Sequence, residues 1–340
     1  MISLLLMVAA DTLLASRPVT LSLDTLFFAE GIDIDSRNGA IYVTSIRHRN
    51  VYVVDADQQL RPFVQLPSSG YAMSAATGVV VDGARERLWI VTAGLRHMAA
   101  YRPSDSASSE LVEVGLADGV VHRRWTLGDG TGTPGEIALT PTGDVLVSDG
   151  TRGVLYRLDS GAVAPRTVRS PLLRSPQGIA VSSDGRVAWV ADWSRGILRW
   201  NLETDTITAV PLHDGQILRG VDGLRRAGER LIGVQNGTDR ARIVAIALSP
   251  AGDRIADIQT LDRAPAYEGE PTVCAIHGDR YVFVASSSWP FFKETGERRA
   301  GTGSLPPVVV RELRLTPRMR TTASVPPSAR ACNSIVAVGP

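Results

Sequence analysis

Three carboxylic acids fall at matching places in a repeated pattern, and their spacing is where chemistry first becomes legible. Glu30-Gly31, Thr77-Gly78, Pro134-Gly135, Gln177-Gly178, Asp222-Gly223 and Glu270-Pro271 each open a short apolar run, and their second members recur at intervals of 47, 57, 43, 45 and 48 residues. If the leading residues converge, Glu30, Asp222 and Glu270 share one small volume. At about 5 Å and an effective dielectric of about 20, each like-charge pair costs about 3 kcal/mol. A hard divalent cation would offset that cost, and Ca²⁺ accepts carboxylate, amide and water oxygens. Gln177 offers an amide oxygen at the equivalent place in the fourth repeat, and Asn236 offers another. Alternatively, one carboxyl stays protonated and acts as a general acid or base. A third outcome is pairing with nearby arginines such as Arg47 or Arg219.

The elements that must position these groups are strands. The clearest repeat runs from Gln177 to Trp200. Ile179 and Val181 alternate as one strand, Asp184-Gly185 signals a tight hairpin, Val187 to Ala191 forms a second strand, and Ile197 to Trp200 starts a third. Asn38-Gly39 marks the same hairpin in the first repeat. Strand repeats of this length imply a propeller. The fold expected is all-β: a six-bladed β-propeller with four antiparallel strands per blade. It would occupy residues 19–315 as one domain, with Val19 to Phe28 supplying a ring-closing strand.

If the first strands start at the top of the ring, the loops after the second strands also lie on top. Two of these loops are long. Leu95 to Glu110 carries His97 and Tyr101, and Ser286 to Pro307 carries Trp289, Phe291 and Phe292. Both are expected to overhang the acids, with Trp289, Phe291, Tyr101 and Asn236 binding substrate and His97 serving as a proton shuttle. Asp149 and Asp192 end second strands at matching places, where an Asp accepts backbone N–H bonds and fixes the loop.

Composition narrows the partners. The chain has 340 residues, 36 Lys+Arg against 35 Asp+Glu and a net charge of +1, so no overall field attracts nucleic acid or anionic membrane. Cys274 and Cys332 have neither metal-ligand nor redox spacing. Ile2 to Ala10 resembles the apolar core of a secretory signal, although no Lys or Arg precedes it and Asp11 ends it. Export to the periplasm or beyond follows if residues 1–15 act as a signal, and a cytoplasmic place otherwise. The run is too short to span a bilayer. Residues 1–18 are thus a signal or a disordered N-terminus. Residues 316–340 have no apolar period and several prolines, and are expected to be a disordered tail. The expected partner is a small-molecule substrate, and nothing in the sequence fixes the oligomeric state.

Across residues 25–315 the pattern resembles the senescence-marker-protein/gluconolactonase family, whose relatives include paraoxonases and strictosidine-synthase-like proteins. The residues that carry the resemblance are Glu30, the run Ser175 to Gly185, and Val221-Asp-Gly-Leu224. The resemblance implies a metal-dependent hydrolase of a lactone or other cyclic ester, with a top-face divalent metal, Ca²⁺ by preference. It places Glu30 and Asp222 as metal ligands, Gln177 where the family has Asn, and Asp222 also as general base. Where the family has a second Asn, this chain has Thr133 and Pro134, which carry no amide; Glu270 or Glu136 would compensate. Resemblance to the strictosidine-synthase type implies instead a metal-independent condensing or isomerising enzyme with Glu270 as its catalytic acid. A propeller that only binds a small ligand is the third reading.

Overall fold

The alternation of apolar residues builds six four-stranded antiparallel sheets arranged as a six-bladed propeller, with almost no helix. A computed structural model describes residues 16–20, 27–54, 59–65, 72–212, 214–263 and 269–316. The signal-like segment, the tail beyond residue 316 and Cys332 lie outside these. The inner strands are Ala29–Ile34, Ala75–Asp82, Pro134–Leu139, Pro176–Val181, Val221–Ala227 and Cys274–His277, for blades one to six. Each contacts the next, and the sixth contacts the first, so the ring is closed.

Period-two alternation explains the packing. In blade six, Tyr281 and Phe283 face blade five, while Val282 and Val284 face blade one. Each of the six blade interfaces thus has its own apolar cluster. The last sheet is completed by the start of the chain. Arg17–Thr20 pairs with Val309–Arg314, Arg17 opposite Glu312 and Thr20 opposite Val309. The closing strand therefore begins two residues ahead of the expected Val19. The chain start is thus the outermost strand of blade six and ties the two ends of the propeller together.

The recurring residue pair has a structural cause. In blades one to five the register shifts at this pair, a β-bulge that in blades one, two, four and five turns the leading side chain out of the ladder and into the mouth of the ring, whereas Pro134 of blade three stays paired with Asp149. At Gly31, Gly78, Gly178 and Gly223 the glycine that follows lets neighbouring inner strands touch backbone to backbone. A Cβ on Gly78 would lie 2.3 Å from the Gly135 carbonyl oxygen, and one on Gly178 would lie 2.2 Å from the Leu224 nitrogen. Any side chain would push the blades apart. Blade six lacks this glycine. Its ladder starts later, at Cys274, and Glu270 is held only by an isolated bridge to Ser287.

Candidate active site at the propeller axis

At the top of the ring the bulged residues surround a cavity of about 410 Å³, a size suited to a small molecule. Glu30, Thr77, Gln177, Asp222 and Glu270 line it, as do Trp193, Asn236, Thr272 and Trp289. The three expected acids are thus brought together, with Gln177 among them.

Each group is held by a specific neighbour. The Trp289 indole N–H donates to Glu30 Oε2 at 2.7 Å. Asn236 Nδ2 donates to Asp222 Oδ2 at 2.9 Å and to the Pro271 carbonyl at 3.0 Å. The Trp193 indole N–H donates to Asn236 Oδ1 at 3.0 Å, which fixes the Asn236 amide with its NH₂ toward Asp222. Gln177 Nε2 donates to Ser175 Oγ at 3.2 Å and leaves the amide oxygen unengaged. Asp149 and Asp192 act as expected. Asp149 accepts the Thr133, Thr151 and Arg152 N–H groups, and Asp192 accepts those of Arg174, Ser175, Ser194 and Arg195. They fix the loops that carry Thr133, Thr151, Ser175 and Trp193 to the rim.

The electrostatics of the mouth are unbalanced. Among the described residues no Lys, Arg or His forms an ion pair with Glu30, Asp222 or Glu270. Pairing with Arg47 or Arg219 does not occur. The carboxyls keep some surface toward the cavity and are otherwise enclosed by protein, so ionising them is costly. Burial, then repulsion from Asp222, pushes Glu30 well above the usual carboxylate range. Burial, then the charges of Glu136 and Glu270, pushes Asp222 up to about 8. Burial also raises Glu270. The second oxygens of Glu30 and Asp222 and the amide oxygen of Gln177 accept no hydrogen bond among the described residues. These are oxygen donors of the type a hard cation takes. Among the described residues no group of three or more His, Cys, Asp or Glu is placed to hold a metal ion. A cation here would rest on two carboxylates and one amide oxygen.

Several expected site residues lie elsewhere. Glu136 does not compensate at the mouth, because Arg225 takes its carboxylate in a buried ion pair. His97, Tyr101 and Phe291 do not line the cavity. The two long loops bury their apolar residues against each other, forming a cluster of Phe28, Ile46, Ala75, Met98, Phe292 and Leu305 that Leu95, Tyr101, Trp289 and Phe291 pack against. The His97 ring sits edge-on to Phe28 and Trp289, and its Nε2 meets the Lys293 carbonyl at 2.9 Å. Burial lowers its pKa, so it is a neutral packing residue. Only Trp289 from the blade-six loop reaches the cavity. Trp193 was not foreseen. It occupies the first position after a second strand, as Asn236 does in the next blade, and that shared position was the available signal.

No protein-family model matches the sequence, and no curated protein matches it significantly. Solved structures do match. A gluconolactonase from Xanthomonas campestris superposes with a TM-score of 0.59 at 15% identity, covering 88% of this chain and 89% of that one. In fold the chain is similar to the gluconolactonases. A virginiamycin B lyase from Staphylococcus aureus gives a TM-score of 0.57 at 15% identity, over 88% of this chain and 99% of that one. A luciferin-regenerating enzyme gives 0.54 at 13% identity, over 88% and 98%. The propeller is thus a scaffold on which enzymes of several kinds are built, and fold alone does not choose among them. Among the described residues, no helix is long and apolar enough to cross a membrane.

Proposed function

We propose that the axial cavity is the active site of a hydrolase acting on a lactone or another small cyclic ester. One observation carries this reading. Three acids share the cavity with no cationic side chain paired to them among the described residues, an arrangement that costs stability and that a catalytic role explains. The fold shared with gluconolactonases supports the substrate class.

The residues divide the work. Asp222 in its ionised form, held by Asn236, removes a proton from the attacking water as its oxygen bonds to the ester carbon; with Asp222 pushed up to about 8, that form grows as pH approaches 8. Glu270 in its protonated form supplies a proton to the ring oxygen as the ring C–O bond breaks. The product is a hydroxy acid. Glu30, fixed by Trp289, orients the carbonyl side of the site. The residues that would hold a divalent cation, Ca²⁺ by preference, are Glu30, Asp222 and Gln177; when bound, it would polarise the ester carbonyl and lower the pKa of water.

A second reading is metal-independent acid–base chemistry at Glu270, as in a condensing or isomerising enzyme. It is favoured by the lack, among the described residues, of any three-membered His, Cys, Asp or Glu group placed for a metal. Turnover of a panel of lactones before and after EDTA separates the two. The first reading predicts ring opening that chelation abolishes and Ca²⁺ restores. Ring opening that survives chelation removes the cation from the account, and no ring opening at all removes the hydrolase.

A further inference from the structure

Trp193 is one of few large apolar side chains left exposed, at 44%, and it stands on the rim of the axial cavity. Its ring is not loose. The indole N–H is committed to Asn236 Oδ1, the backbone N–H donates to the Ser175 carbonyl at 2.9 Å, and the backbone carbonyl accepts from Gly220 at 2.8 Å. The ring lies against Gly237, where a Cβ would approach Trp193 Cζ2 to 2.9 Å. Glycine at this position leaves room for the indole. The side chain is thus held in one orientation while much of it stays exposed beside the cavity.

The rest of the mouth restricts what that face meets. Blades one and four are opposite in a ring of six, and Glu30 with its Trp289 cap belongs to the blade-one side. A ligand in the cavity therefore lies between the fixed Trp193 indole, with Asp222 beside it, on one side and Glu30 with its Trp289 cap on the other. None of the described residues lining the cavity is cationic, so a carboxylate or phosphate finds no counter-charge there. A flat apolar ring is what a preorganised indole recognises best, because little motion is lost on stacking.

We infer that the substrate is an uncharged cyclic ester carrying a flat apolar ring, and that Trp193 is the residue that selects it. The inference rests on the lactonase reading of the same cavity. Trp193 also acts as a positioning residue, since its N–H orients Asn236 and through it Asp222.

The test compares dihydrocoumarin, a lactone fused to a benzene ring, with δ-valerolactone, each corrected for uncatalysed hydrolysis. The wild-type protein should favour the fused lactone at least tenfold in kcat/KM. Trp193→Leu should collapse that ratio toward one through KM. Trp193→Phe keeps a ring but loses the N–H, so it should retain the ratio while turnover of both lactones falls. A wild-type ratio near one, or a ratio that Trp193→Leu leaves unchanged, overturns the inference. If neither lactone is opened, the hydrolase reading fails, and binding of the corresponding lactams decides the inference separately. The fused lactam should quench indole fluorescence and bind at least tenfold tighter than δ-valerolactam, and Trp193→Leu should abolish the difference. Equal or absent binding overturns it.

Discussion

Two layers of acids lie along the propeller axis, and only one is neutralised. At the mouth, Glu30, Asp222 and Glu270 have no cationic partner among the described residues. Deeper, Glu136 of blade three pairs with Arg225 of blade five at 2.5 Å, and Asp33 of blade one accepts the Val81 N–H at 2.7 Å within the field of the same guanidinium. Burial raises Asp33 to about 6, with Arg225 opposing the shift. Burial also raises Glu136, again opposed by Arg225, while Glu136 and Asp33 together hold Arg225 firmly charged. The lower layer behaves as structure: buried charge accompanied by its counter-charge. The upper layer, proposed above as the site, groups acids where a ligand, a cation or a proton would have to balance their charge.

The contrast predicts opposite responses to substitution. Arg225→Met should leave Glu136 and Asp33 buried without their cation and cost about 3–5 kcal/mol of unfolding free energy, measured by urea denaturation. A loss under 1 kcal/mol would mean that the lower layer is not structural. The pH dependence comes next. Asp222 is raised from 3.8 to about 8, so between these values the folded protein binds a proton that the unfolded chain has released. Stability should therefore fall as pH rises from about 4 to about 8 and level off above. Thermal melts across this range should show that slope, and Asp222→Asn should make it shallower, the remainder belonging to the other raised acids. A melting temperature that rises over the same window in the wild type contradicts the placement of Asp222.

Ca²⁺ should raise the wild-type melting temperature, since at a hundred times its Kd a ligand stabilises by about 2.7 kcal/mol. Glu30→Gln should remove that response, whereas an equal response in the variant would put the ion elsewhere. The smallest effect expected is at His97. Its Nε2 contact holds two loops together and faces no substrate, so His97→Gln should cost about 1 kcal/mol of stability and change kcat/KM less than threefold.

How far the sequence disclosed this depends on the reach of each signal. The six blade starts were legible because a bulge with a close glycine contact leaves a local trace, such as Asp222-Gly223, and because hairpins such as Asp184-Gly185 require a positive φ, here 70° at Gly185. The loop-fixing roles of Asp149 and Asp192 were legible for the same reason: their partners are mostly within twenty residues. The fate of the long loops was not. His97 meets Lys293 across 196 positions, and Arg225 meets Glu136 across 89. No local pattern encodes which distant loop will bury Tyr101 and Phe291, or which acid a buried arginine will claim. Trp193 left no local trace either, because the partner that fixes its indole, Asn236, lies 43 positions away.

The account rests on the mouth acids being retained for chemistry at the expense of stability. The most direct measurement is paired activity and melting of Asp222→Asn with a lactone that the wild type opens. The variant should lose at least a hundredfold in kcat/KM while melting at the same or a higher temperature, because folding no longer has to protonate or bury an ionisable carboxyl at that position. A variant as active as the wild type, or one that loses activity only because it unfolds, would contradict the claim.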